Sequence, residues 1–202
     1  MPNWCSNDLY IYGDARKDIA DFISGPEGVI DFEKIKPMPE VLKETNHGSE
    51  EREALIVCGQ NDGAQMLTYP WVVDEGVSTV EQLRKFLLKR NPELEAIGKR
   101  LLELKEQTGY TNWYEWSVDH WGTKWNVDGG DRDDQERRVM LTFDTAWSPP
   151  TPIVDALSEM SPKTKFSLRY YEGGMGFKGR YAVKGGKVIA EESGSYQGRR
   201  GG

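Results

Sequence analysis

Arg138-Val139-Met140-Leu141-Thr142-Phe143-Asp144-Thr145-Ala146-Trp147-Ser148-Pro149-Pro150-Thr151-Pro152 holds a strand, its stop and the start of a helix. Val139, Leu141 and Phe143 alternate with polar partners, the period of a half-buried strand. Thr151 reads as a helix N-cap and Pro152 as the first helical residue, where a missing N–H costs nothing. Ile153, Leu157 and Met160 then share one helical face as far as Pro162. Beyond it, Lys165 to Tyr171 alternates again, with Phe166, Leu168 and Tyr170 on the inner side. Phe177–Val183 and Lys187–Ala190 flank Gly185-Gly186, a hairpin signal.

Strand, helix and strand also open the chain. Leu9-Tyr10-Ile11-Tyr12 alternates and stops at Gly13; Asp14 caps a helix whose apolar face is Ile19, Phe22 and Ile23. Gly25-Pro26 ends that helix, and Ile30 and Phe32 against Asp31 and Glu33 predict a second strand over Val29–Ile35. Two such halves on one antiparallel sheet define an α+β, ferredoxin-like split βαβ arrangement with a C-terminal β-hairpin. The expected boundaries are 1–39 for the first half, 40–130 for an inserted helical lobe and 131–192 for the second half with its hairpin. The Gly/Arg-rich residues 193–202, Arg199 and Arg200 included, are expected to be a disordered tail.

Within the insertion, residues 40–69 show no firm period and stay unassigned. Ser78-Thr79-Val80-Glu81 reads as a capping box opening a helix with Val80, Leu83 and Leu87 on one face. Asn91-Pro92 breaks it and starts another, lined by Leu94, Ile97, Leu101 and Leu104 until Gly109. Asn112 with Glu115 caps a third, on which Trp113, Trp116 and His120 share a face until Gly122. The run Asp128-Gly129-Gly130-Asp131-Arg132-Asp133-Asp134 reads as a loop.

Composition narrows the function classes. A net charge of −7 and a pI of about 5.0 argue against coating nucleic acid non-specifically, which needs a clustered basic face. A local basic pocket is compatible with that balance. Cys5 and Cys58 lack CxxC spacing, and the two histidines form no metal-binding pattern, so neither metal nor redox chemistry is expected. The acids from Asp128 to Glu136 lack the glycine and glutamate spacing of an EF-hand. No apolar run is long enough to span a membrane and the N-terminus does not read as a signal peptide, so a cytoplasmic location and no membrane partner are expected.

Three motifs carry a family resemblance: Pro2-Asn3-Trp4-Cys5-Ser6-Asn7, His120-Trp121-Gly122-Thr123-Lys124-Trp125-Asn126, and Phe143-Asp144-Thr145-Ala146-Trp147-Ser148-Pro149-Pro150. In this order the chain resembles the YubB-type ferredoxin-like family of bacteriophage and plasmid proteins. The resemblance implies the same fold and a protein of mobile elements, expressed in the host cytoplasm and acting against host defence. It brings no catalytic residues with it.

Those motifs also supply the candidate site. Four of seven tryptophans lie within Trp113–Trp125, and an indole is either core or a platform for a flat ligand. The expected wall is Asn3, Trp4, Asn7, His120, Trp121, Thr123, Lys124, Trp125 and Trp147, in a cleft between sheet and helical lobe. Indoles stack on bases, and Lys124 is a compact charge suited to phosphate. Alternatively the tryptophans are core, Lys124 covers an indole with its stem, and the short polar residues pin the chain end. Cys5 as a nucleophile with His120 as its base is a further option. Arg169, Tyr171, Lys178 and Arg180 fall at outward positions of neighbouring strands, either a solvated face or a base-stacking one.

The expected function is a counter-defence protein, not an enzyme, that sequesters a small nucleotide-like ligand without any cofactor. The alternative is an acidic inhibitor of a host defence or DNA-processing protein; single-strand binding and nucleotide hydrolysis are further readings. Self-association is left open.

Overall fold

The computed structural model describes residues 3–198. In chain order the elements are β1 (Trp4–Tyr12), α1 (Arg16–Ile23), α2 (Phe32–Ile35), α3 (Glu40–Lys43), α4 (Ser49–Val57), α5 (Pro70–Val73), α6 (Val80–Arg90), α7 (Leu94–Thr108) and α8 (Trp113–Trp121). There follow β2 (Asp131–Asp134), β3 (Arg138–Ala146), α9 (Thr151–Met160), β4 (Lys165–Glu172), β5 (Phe177–Lys184) and β6 (Lys187–Ser195). The chain divides into two compact units, Met1–Met38 with Trp116–Gly202, and Pro39–Glu115.

The first unit is an α+β, ferredoxin-like domain. Its sheet has the order β2-β3-β1-β4-β5-β6, with every neighbouring pair antiparallel. Hence β1 and β2 run parallel with β3 between them, and β3 and β4 run parallel with β1 between them. Those are two split βαβ crossings, carried by α1 and α9. Alternation in the strands sends Leu9, Ile11, Val139, Leu141, Phe143, Phe166 and Leu168 to one face, all buried. Ala20 and Ile23 of α1, Phe32 and Ile35 of α2, and Ile153, Val154 and Leu157 of α9 complete that core. The opposite face of the sheet carries Ser6, Asp8, Thr142, Arg169, Lys178 and Arg180 along a groove of about 850 Å³.

Two expectations are corrected here. Val29–Ile35 is not a strand: Asp31 accepts the Glu33 N–H at 3.0 Å and caps the short helix α2. Ile30, Phe32 and Ile35 are all buried, so local capping prevails over the apparent alternation. The missing strand comes about a hundred residues later, as β2, in the stretch read as a loop. Its four residues are Asp131, Arg132, Asp133 and Asp134 at the sheet edge, where charge blocks pairing with another chain. The hairpin turns at Gly185 (φ +58°) and Gly186 (φ +68°), the doubly positive geometry of a tight primed turn. β6 continues to Ser195, beyond the expected Ala190, whereas Arg199 and Arg200 lie outside the described residues.

The second unit is helical. Ala54, Ile56, Met66, Val72, Leu83, Leu87, Leu94 and Leu101 form its core. The capping box of α6 is set one residue later than read, with Thr79 and Gln82 exchanging bonds. The unassigned stretch supplies α3, α4 and a 3-10 turn at Met66–Thr68. This unit closes at Glu115 rather than near residue 130, because from Trp116 onward the chain packs with the sheet domain: Trp121 meets Phe32 at 5.9 Å between ring centroids. Among the described residues no helix is long and apolar enough to cross a membrane.

Candidate functional site

Gly122, with φ +77°, ends α8 where a β-carbon would meet Pro152 Cδ at 2.6 Å, so only glycine fits there. The loop after it is pinned residue by residue. Thr123 Oγ1 donates to the Ala146 carbonyl at 2.8 Å and Ser117 Oγ to the Lys124 carbonyl at 3.0 Å. Asn126 accepts the Phe32 N–H at 2.9 Å and donates to Asp31 at 2.7 Å. Between these anchors Lys124 and Trp125 face outward. Trp147 follows β3 with φ +70°, alone among described non-glycine residues in the left-handed region. Its N–H donates to the Asn3 carbonyl at 2.9 Å, and Ser148 Oγ donates to the Gly122 carbonyl at 2.6 Å. Such a backbone costs roughly 1–3 kcal/mol and persists only where its neighbours impose it.

These supports bring three indoles together. Trp125 lies 6.4 Å from Trp4 and 6.4 Å from Trp147 between ring centroids. Lys124 Nζ sits 4.5 Å from the Trp125 ring centre and 5.2 Å from that of Trp147, within cation–π range of both. Trp4, Trp125 and Trp147 are 50%, 40% and 41% exposed, against 4% for Trp121, so the trio forms a surface and not a core. A groove of about 410 Å³ runs beside Trp4 and Trp125, lined further by Asn126, Asp128 and Asp144, a size that suits one small ligand. Asp144 is held by the Ser6 hydroxyl at 2.8 Å. Flat apolar rings, one cation and two carboxylate acceptors thus meet in one place. That set can stack a heteroaromatic ring, accept its amino hydrogens and attract an anion.

Of the nine expected wall residues, Trp4, Lys124, Trp125 and Trp147 converge. Asn7, Trp121 and Thr123 do not line the groove: they are 1%, 4% and 1% exposed and hold the fold beneath it. Asn7 Nδ2 donates to the Cys5 carbonyl at 2.8 Å and Thr145 Oγ1 at 2.9 Å, and Trp121 Nε1 donates to the Lys36 carbonyl at 2.9 Å. The Asn3 side chain lies against Gly174. His120 rests on Trp116 at 4.5 Å; burial, then the Lys36 charge, lowers its pKa, with Asp119 opposing.

The structure does not favour Cys5 as a nucleophile, since its side chain is fully buried. Burial first, and then the Glu172 carboxylate, pushes its thiol up to about 12. The reactive thiolate is therefore suppressed at neutral pH. Among the described residues, no group of three or more metal-ligating side chains comes together.

One polar cluster was missed in the sequence. In the helical unit, Glu51 accepts Thr111 Oγ1 and Asn112 Nδ2, each at 2.6 Å, and meets His47 Nδ1 at 3.2 Å. His47 stacks on Tyr114 at 4.4 Å. The i,i+4 spacing of His47 and Glu51 was a visible signal; the partners sixty residues away were not. Because Asn112 also accepts the Glu115 N–H at 2.9 Å, the cluster is a helix-start anchor.

Residues 121–200 match the family model described as the ferredoxin-like domain in Api92-like protein. Among solved structures, the protein api92 from Yersinia pseudotuberculosis is similar at 16% identity, over 98% of this chain and 99% of that one, with a TM-score of 0.42. Comparison with curated proteins gave no match.

Proposed function

We propose that this ferredoxin-like protein is a non-catalytic binding protein that sequesters a small nucleotide-like ligand on the indoles of Trp4, Trp125 and Trp147. One observation carries the reading: three half-exposed tryptophans gathered on one surface, two of them against Lys124 and one of those held in a left-handed backbone. Strain retained at an exposed aromatic residue calls for a role outside stability. A base stacks on the indoles, its amino groups meet Asp144 or Asp128, and its phosphate meets Lys124. On this reading the ligand is held by the sheet domain alone, to which all of these residues belong. The resemblance to YubB-type proteins of phages and plasmids adds the setting: the host cytoplasm, with a nucleotide signal of host defence as the cargo.

Isothermal titration with AMP and with cyclic di-AMP tests this. At least one is expected to bind the wild type. Trp147→Gly should weaken that binding about ten-fold or more, since each stacked base contributes about 1–3 kcal/mol. The same substitution should leave thermal stability unchanged or raise it, because glycine adopts φ +70° without strain. Absence of heat with both ligands, or full affinity in Trp147→Gly, would remove the proposal.

A further inference from the structure

The open face of the sheet carries its charges in rows. On β4, β5 and β6, Lys165 stands directly opposite Lys184, which stands opposite Lys187. Two rows further along, past Ser167 and Ala182, Arg169 faces Arg180. Like charges directly opposed across strands are destabilising, so a fold left to itself would place an acid in each pair. The arginine row is relieved within the sheet, where Arg180 Nη1 lies 3.8 Å from Glu192 and Arg169 stands opposite Asp8 of β1; among the described residues no acid stands directly opposite Lys165, Lys184 or Lys187. Acids collect instead on the β1–β3 half, where Asp8 and Asp144 are occupied by Thr142 at 2.9 Å and Ser6 at 2.8 Å. Most cations of this face thus lie over β4–β6, although the chain as a whole carries −7; Arg138 on β3 is a further one, its Cζ 4.6 Å from the Tyr10 ring.

Tyrosines are interleaved with those cations. Lys165 Nζ lies 5.2 Å from the Tyr12 ring and Arg169 Cζ 5.4 Å from the Tyr10 ring. Tyr171, opposite Lys178, stacks on Tyr196 with 4.8 Å between centroids and 23° between planes. The groove of about 850 Å³ over this face reaches from Ser6 to Tyr196. Outward residues recur about every 6.6 Å along a strand and neighbouring strands stand about 4.8 Å apart, so the cations of the two rows form a patch that a flexible single strand can follow.

We propose that the β4–β6 half of the open sheet face binds a short stretch of single-stranded nucleic acid. Its phosphates lie along the Lys165–Lys184–Lys187 and Arg169–Arg180 rows, and a base stacks at Tyr171 and Tyr196. Cations alone would take any polyanion; the tyrosines select one that has rings. The acidic β1–β3 half limits the strand to the other side and prevents general coating. Asp144 lines both grooves, but none of the β4–β6 cations or tyrosines named here belongs to the indole site, so either assignment stands if the other fails.

Fluorescence anisotropy of the full chain with a labelled oligo-dT of about twelve nucleotides provides the test. Binding is expected at about 50 mM salt, with roughly a fifty-fold loss at about 200 mM for some four phosphate contacts. Lys165→Gln/Lys184→Gln should weaken binding about ten-fold and flatten the salt slope, while the melting temperature holds or rises as the like-charge pair is relieved. Tyr171→Ala should weaken oligo-dT binding but leave inorganic polyphosphate binding unchanged. No binding at low salt, wild-type affinity in the lysine double variant, or polyphosphate or polyglutamate bound as tightly as oligo-dT would each overturn the assignment.

Discussion

Gly98→Ala is expected to destabilise the helical unit by about 2 kcal/mol, against the usual gain of about 1 kcal/mol for this exchange in a helix interior. Gly98 sits in α7 against α4. A β-carbon there would fall 2.7 Å from the Ala54 carbonyl oxygen and onto Cys58 Sγ. The sulfur can rotate away; the carbonyl moves only if α4 moves with it. Overpacking of a close helix contact costs about 1–3 kcal/mol, so the steric term outweighs propensity. For a unit of this size that corresponds to a melting shift of about 8–16 °C, readable by far-UV circular dichroism. Gly98→Ala/Cys58→Ala should recover only part of the loss, because the carbonyl contact stays. An unchanged or higher melting temperature in the single variant would show that the helices are not in close contact.

Asn112→Ala should cost the same unit about 2–4 kcal/mol through two separable losses. The N-cap bond to Glu115 contributes about 1 kcal/mol. A further 1–3 kcal/mol or so comes from withdrawing a donor from the Glu51 carboxylate, which is 9% exposed and keeps only Thr111 and His47. Asn112→Asp separates the two. It keeps the cap oxygen but sets a second carboxylate against Glu51, a like-charge repulsion that protonation removes. Its stability should therefore fall as pH rises through the carboxylate range and return in acid. Equal urea midpoints for Asn112→Ala and the wild type would sink the account of this anchor.

Much of this fold was legible because its signals are local. Alternation marked β1, β3 and β4, caps and stops marked α6 and α7, prolines bounded α9 although its N-cap is Pro150 and not Thr151, and paired glycines marked the hairpin. β2 was hidden for a physical reason: an edge strand of three aspartates and an arginine has no apolar face to display. Val29–Ile35 misled because Ile30 and Phe32 mimic a strand period, whereas Asp31 decides the backbone. In the site, strand parity alone separates Trp4, which points outward, from Cys5 and Asn7, which point inward. The stop at Gly122 correctly marked where side chains could turn to solvent. Trp121, one residue earlier, remains on the buried side of α8, and Thr123 is drawn in by the Ala146 carbonyl. Those two depend on partners distant in sequence, as does the backbone of Trp147, which no propensity suggests.

The central claim is the location of the ligand on the indole trio, and the indole N–H resonances report on it one tryptophan at a time. In a two-dimensional NMR titration with the nucleotide that binds in calorimetry, the Nε1–H signals of Trp4, Trp125 and Trp147 should shift together in proportion to saturation. The signals of buried Trp116 and Trp121 should stay in place. Saturable binding that moves other tryptophans, or none of the three, would contradict the site.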